Sequence, residues 1–210
     1  YGRFVADEVS AVAAGDGGAA SSGCGGGRGG GGVMGRRATV EFRLRFPIEE
    51  IERLAAGYSY KKKDDQVIRI GNSVRCRGWG DRAEIEELVL WKSERRPDLF
   101  AQNSDRDIQE ATRIALSARS EVVRIGVLQS LPGVGIPTAS VILHMCHIDP
   151  YPIIDWRAFW SLGIEKMPAY SLSIWDQYVI TCRKIASDAS VSMRTLDRAL
   201  WQFCKSNKKL

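Results

Sequence analysis

The sequence has no apolar run approaching the roughly 18 to 20 residues of a bilayer-spanning helix, so no transmembrane helix is expected. Cysteine is sparse: Cys24, Cys76, Cys146, Cys182 and Cys204 are odd in number and widely scattered. That spacing fits neither a disulfide framework nor a Cys-x-x-Cys zinc site. A reducing, intracellular compartment is the expectation, cytoplasm, nucleoid or nucleus, without secretion. The closely spaced four-cysteine signature of an iron–sulfur cluster is missing too. Nor is charge of one sign abundant. The 30 Lys and Arg against 25 Asp and Glu leave +5, which suits a polyanionic partner but is too small an excess to name one.

Glycine is scarce except at the start, where the first 35 residues hold 13 of the 21. Runs such as Gly25–Gly27 and Gly29–Gly32, spaced by Ala and Ser, cannot bury enough apolar surface to offset their ordering entropy. Residues 1–37 are therefore expected to be a disordered tail, and they lack the apolar core of a secretory signal. The chain opens on Tyr1, with Met34 as an alternative start, so the tail is either a functional arm or a gene-model artefact.

Residues 38–210 carry a different pattern, with apolar residues at three- and four-residue spacing. Pro47 opens a helix through Ile48, Ile51, Leu54 and Ala55. Asp81 with Glu84 has the form of a capping box ahead of Ile85, Leu88, Val89 and Trp91. Further helices are expected over 104–118, 121–130, 137–147, 156–162, 172–187 and 192–206. Only 39–46, with alternating Val40, Phe42, Leu44 and Phe46, reads as a strand, and it stands alone. The fold class is all-α, with no internal repeat.

The informative stretch is 128–143, in which two helices flank the turn Pro132-Gly133-Val134-Gly135 and Pro137 falls in the first turn of the second helix. Gly133 and Gly135 allow positive φ and a close approach of another molecule. The N–H groups of the turn and helix start, from Gly133 through Val134 and Gly135 to Thr138, then form an anion site reinforced by the helix dipole. A DNA phosphate suits such a site, and gripping it reads no sequence. An ordinary helical hairpin with glycines at its turn is the plain alternative.

Downstream comes Asp149-Pro-Tyr-Pro-Ile-Ile-Asp155-Trp-Arg157-Ala-Phe-Trp-Ser-Leu-Gly163. Over 128–163 the chain resembles the helix-hairpin-helix, Gly/Pro-Asp superfamily of base-excision DNA glycosylases, which includes endonuclease III and the 8-oxoguanine and adenine glycosylases. Asp155 stands 18 residues beyond Pro137, the family's hairpin-to-aspartate interval without a gap. The resemblance implies a compact helical glycosylase fold, double-stranded DNA as partner, a monomer, and Asp155 as the catalytic carboxylate. Such a carboxylate stabilises the oxocarbenium ion that builds as the N-glycosidic bond breaks, and orients the attacking water. An Asp is also a favoured N-cap, and both roles are open to Asp155. The resemblance further implies that the backbone carbonyls of Gln129, Leu131 and Val134 hold a monovalent cation bridging to a DNA phosphate.

The departures are informative. Bifunctional members carry a lysine two residues past the second hairpin glycine; here Pro137 stands there, so monofunctional hydrolysis is expected. The histidine many members carry two residues after the aspartate is Arg157, which can still pair with phosphate. No cofactor beyond the hairpin cation is expected. His144, Cys146 and His147 lack further zinc ligands at a recognisable spacing, and packing is the simpler role. Trp156, Trp160, Trp175 and Trp201 are candidates for the core or for stacking on an extruded base. Arg183, Lys184, Arg194, Arg198, Lys205, Lys208 and Lys209 form either a solvated face or part of a DNA footprint. Two non-enzymatic alternatives stand beside the glycosylase: a DNA-binding module that kept the hairpin without the chemistry, and a protein–protein adaptor.

Overall fold

The computed structural model describes residues 40–60, 64–95 and 97–208, all within one unit, Arg37–Leu210. The expected tail, 1–37, lies outside them. The fold is all-α: after a 3₁₀ turn at Ile48–Glu50, ten α-helices follow among the described residues. They are α1 (Ile51–Ala56), α2 (Asp64–Arg77), α3 (Arg82–Lys92), α4 (Pro97–Phe100), α5 (Asp105–Ser117), α6 (Glu121–Gln129), α7 (Ile136–Cys146), α8 (Trp156–Ser161), α9 (Leu172–Asp188) and α10 (Met193–Asn207). None is long and apolar enough to cross a membrane.

Helix starts follow local chemistry. Asp81 and Glu84 form a reciprocal capping box at α3. Ser104, Ser120, Ser171 and Ser192 each accept from the backbone N–H three residues on, opening α5, α6, α9 and α10. Packing then divides into two groups. Helix α7 is buried along almost its whole length, exempting only Pro137 and His144, and α2, α3 and α6 lie against it. A helix apolar all round belongs in the core. Helix α10 instead gathers α1, α8 and α9.

The expected strand is not one. Val40–Leu44 has no regular element and the chain bends at Arg45 and Phe46; no strand among the described residues pairs with it. Arg43 and Arg45 donate backbone N–H bonds to Leu162 and Ser161 at the end of α8, at 2.9 and 3.0 Å. The alternation reflects one-sided burial rather than a sheet: Phe42 packs on Phe159 and Tyr178, and Phe46 on Phe203.

Between α6 and α7 the turn at 130–135 is held from below by α4. Asn103 Nδ2 donates to Phe100 O at 2.7 Å and Pro132 O at 3.0 Å. Gly133 has φ +82°, and a Cβ there would meet the Phe100 nitrogen at 2.9 Å. Gly135 differs from the expectation of positive φ: it is extended, at φ −91° and ψ 176°, and a Cβ would touch only Pro137 Cδ at 3.7 Å. The first glycine is thus required by the fold and the second is not. Gly133→Ala should destabilise by roughly 2 to 4 kcal/mol, from αL strain plus overpacking. Gly135→Ala should stay within about 1 kcal/mol. Paired thermal melts check this, and equal Tm values for the two variants would contradict it.

Candidate active site

Asp155 opens α8 from extended backbone, and its Oδ1 accepts from Ala158 N at 2.9 Å, so it is the N-cap expected. The strand of chain leading to it is pinned on both sides. Ile154 N donates to Ser140 Oγ on α7 at 3.1 Å, and Tyr178 on α9 donates to Ile153 O at 2.8 Å. Capping leaves Oδ2 available, and Lys92 Nζ, in the last turn of α3, approaches it at 3.4 Å. Asp155 is 24% exposed and Lys92 14%, so the pair is screened from bulk water yet reachable.

The pair opens onto a cleft of about 820 Å³. One wall is aromatic: Tyr60 stands edge-on to Trp91 and Trp201 at 5.4 and 5.5 Å, and Tyr58 to Trp201 at 5.3 Å. Asp197 on α10 supplies a second carboxylate, with Oδ2 bonded to Arg194 at 2.5 Å. Burial, opposed mainly by Arg194, pushes its carboxyl up to about 6. Burial likewise pushes the Tyr58 phenol well above its usual range.

A second groove of about 570 Å³ runs over the hairpin turn, along Gln129 to Gly135. It shares Ser93, Arg95 and Thr138 with the cleft, so the two adjoin. Gly135 is exposed, Gly133 half-buried, and Val134 and Thr138 are buried side chains beneath the groove. The first N–H groups of α7 have no carbonyl ahead of them within the helix. Gln129, Leu131 and Val134 line this one groove, as a set of carbonyl ligands must; Leu131 O already accepts from Val134 N at 3.0 Å, which leaves that oxygen one lone pair and takes the Val134 N–H out of the expected anion site.

Arg157 lies half-buried in the cleft, its guanidinium over Trp156 and Trp201 at 4.4 and 5.1 Å. The tryptophans separate by environment. Trp175 is core and Trp160 stacks on Phe203, whereas Trp156 and Trp201 line the cleft. The basic residues separate too. Arg194 and Arg198 turn inward onto Asp64, Arg183 donates to Pro150 O, and Lys184 pairs with Asp188. Lys205 and Lys208 lie over Trp201 and Trp156 beside the cleft, and Lys209 falls outside the described residues.

His144 and His147 are packing groups. His144 Nδ1 bonds Tyr151 O at 2.6 Å, and burial pushes its imidazole down to about 3; His147 Nδ1 accepts from Asp149 N. Among the described residues no three His, Cys, Asp or Glu side chains are grouped to hold a metal ion.

Tyr58, Tyr60, Lys92 and Asp197 escaped sequence reasoning. Each lies far along the chain from Asp155, and none belongs to a motif. No protein-family model, curated protein or solved structure matches the chain.

Proposed function

We propose that the protein is a monofunctional DNA glycosylase of the helix-hairpin-helix type, hydrolysing the N-glycosidic bond of a damaged or mispaired base. The observation that carries this reading is the adjacency of the hairpin groove to the cleft holding Asp155, through the shared Ser93, Arg95 and Thr138. A strand whose phosphate rests on the N–H groups at Gly135 and Thr138 has its neighbouring nucleotide beside the cleft. Extrusion of that nucleotide costs roughly a few kcal/mol, least for a weakened pair. The cleft's volume and aromatic wall suit a planar heterocycle.

In the reaction Asp155 Oδ2 faces the sugar, where negative charge opposes the oxocarbenium ion and can take a proton from the attacking water. The bond from Ala158 N to Oδ1 and the contact from Lys92 to Oδ2 hold the carboxylate in one orientation. Arg157, Lys205 and Lys208 contribute positive charge at the rim for the phosphate backbone. A monovalent cation on the carbonyls of Gln129, Leu131 and Val134 would add charge against the same strand. The groove that these three line is consistent with that expectation.

A panel of duplexes, each bearing one modified or mispaired base, tests the activity. Release of a free base, leaving an intact strand that breaks only after alkali or heat, is the expected result. If the full chain releases no base from a broad panel while binding the duplexes, the non-catalytic DNA-binding module replaces this reading.

Absence of lyase chemistry is a separate prediction. Pro137 has no amine, and the amine of Lys92 is engaged by Asp155. Borohydride should therefore trap no covalent protein–DNA adduct. An adduct that disappears in Lys92→Ala would identify an amine entering from α3 and overturn the monofunctional assignment.

A further inference from the structure

The proposed hydrolysis makes no use of the second carboxylate in the cleft. Asp197 lies three residues after Arg194 and four before Trp201, so the three share one face of α10. Its side chain is only 10% exposed. Arg194 holds Oδ2 at 2.5 Å and is itself gripped by Asp64, which also takes Arg198 at 2.8 Å. The carboxyl is thus anchored through Oδ2 by an arginine that itself lies over Tyr58 and Trp91, and Oδ1 is left for a ligand in the cavity that Asp197 lines. Around it the cavity wall is the aromatic group of Tyr58, Tyr60, Trp91 and Trp201. A firmly placed acceptor beside an aromatic wall, in a cleft that Lys92, Asp155 and Arg157 also line, is an arrangement that selects among planar ligands.

Building on the glycosylase reading, we propose that Asp197 is a specificity-determining residue that reads the edge of the extruded base. It favours bases bearing an exocyclic amino group over their deaminated counterparts. An ionised carboxylate only accepts hydrogen bonds. Aimed at the exocyclic position, it takes a hydrogen bond from an amino group, whereas the carbonyl oxygen that deamination leaves there sets acceptor against acceptor; the ring N–H that deamination adds beside it reaches the carboxylate only if the base shifts in the cleft. A site built for one pattern rejects the other because buried polar groups are left unmatched.

Protonation gives an internal control. Burial raises the carboxyl to about 6; Arg194 and Lys92 pull it down, while Asp155 and Asp64 push it up. Tyr58 beyond α1, and Tyr178 and Cys182 on α9, also feel its charge. At pH 7.5 the group is mostly an acceptor and at pH 5 mostly a donor, so the preference should shrink or invert between them.

The test uses the full chain and duplexes whose target nucleotide carries a 2′-fluoro sugar, which blocks cleavage and leaves binding as the readout. Adenine and hypoxanthine are compared opposite the same tetrahydrofuran abasic analogue, by fluorescence anisotropy. The wild type should bind the adenine duplex about tenfold more tightly at pH 7.5, the size expected for one matched against one mismatched buried hydrogen bond. That ratio should fall toward one or invert at pH 5. In Asp197→Asn, whose amide both donates and accepts, it should be near one at both pH values. Equal wild-type binding at pH 7.5, or a ratio unchanged in the variant, overturns the proposal. If a thermal melt shows that the variant does not fold, the wild-type pH comparison decides, and a pH-independent ratio overturns it. Intact base excision with no amino preference removes only the role of Asp197; no duplex binding at all removes the glycosylase reading and this inference with it.

Discussion

Asp155→Asn is expected to lower single-turnover base excision by about 10² to 10³-fold, the usual cost of removing a preorganised group that stabilises transition-state charge. Fold and DNA affinity should survive. Asn is as good an N-cap as Asp, so the bond from Ala158 N to the side-chain oxygen has a replacement acceptor. What disappears is the negative charge at Oδ2, the oxygen that capping leaves to Lys92 and the cleft. The measurement is single-turnover excision on whichever substrate the wild type cleaves, beside a thermal melt and a binding titration. Wild-type excision by the variant would reduce Asp155 to a helix cap. Should Asp155→Asn lose its fold, Asp155→Glu keeps the charge and displaces it by one methylene. A folded Asp155→Glu should excise more slowly than the wild type, because its carboxylate no longer sits where the Ala158 N–H and Lys92 fix it.

Duplex binding is expected to weaken about 10²-fold between 50 and 200 mM salt, if some four phosphates are contacted. The hairpin turn, Arg157 and the lysines beside Trp156 and Trp201 provide for contacts of that number. Gly135→Thr should reduce affinity about tenfold for all sequences alike, the effect of losing a charge-assisted contact to the strand backbone. The substitution is clean because φ −91° and ψ 176° are ordinary for a β-branched residue and a Cβ meets only Pro137 Cδ. Binding that ignores salt, or that is absent even at low salt, would leave the hairpin as a structural turn. A Gly135→Thr protein that binds as the wild type does would show that the strand does not approach this point.

Much of the helical framework is legible because its signals are local. A capping serine and the N–H it satisfies are three residues apart, as are Asp81 and Glu84, and an apolar stripe repeats within one or two turns. Helix α2 is preceded by lysines rather than a capping serine. It does carry a short apolar stripe, Val67, Ile70 and Val74, but is otherwise polar and interrupted by Gly71, whose place in the fold is a close approach to α7: a Cβ there would meet Met145 O at 2.4 Å. A glycine that reads as a helix breaker is thus a packing contact with a residue more than seventy positions away. The 39–46 alternation failed for the converse reason. Period two reports one-sided burial, and whether the chain there pairs with a strand or with the end of α8 is a long-range matter.

The sequence by itself determined the all-α class, most helix limits, the cap at Asp155 and the turn at Gly133, because each depends on hydrogen bonds or backbone geometry within a few residues. Tertiary structure alone decided that Gly135 is unconstrained, that Arg194 and Arg198 face inward, and that Lys92 and Asp197 join Asp155 at one aromatic cleft. Those groups come from α3, the start of α8 and α10, and their convergence follows from how α7 and α10 each gather their neighbours. Helix periodicity says which face is buried and not against what, so a site assembled from several helix faces has no signature along the chain.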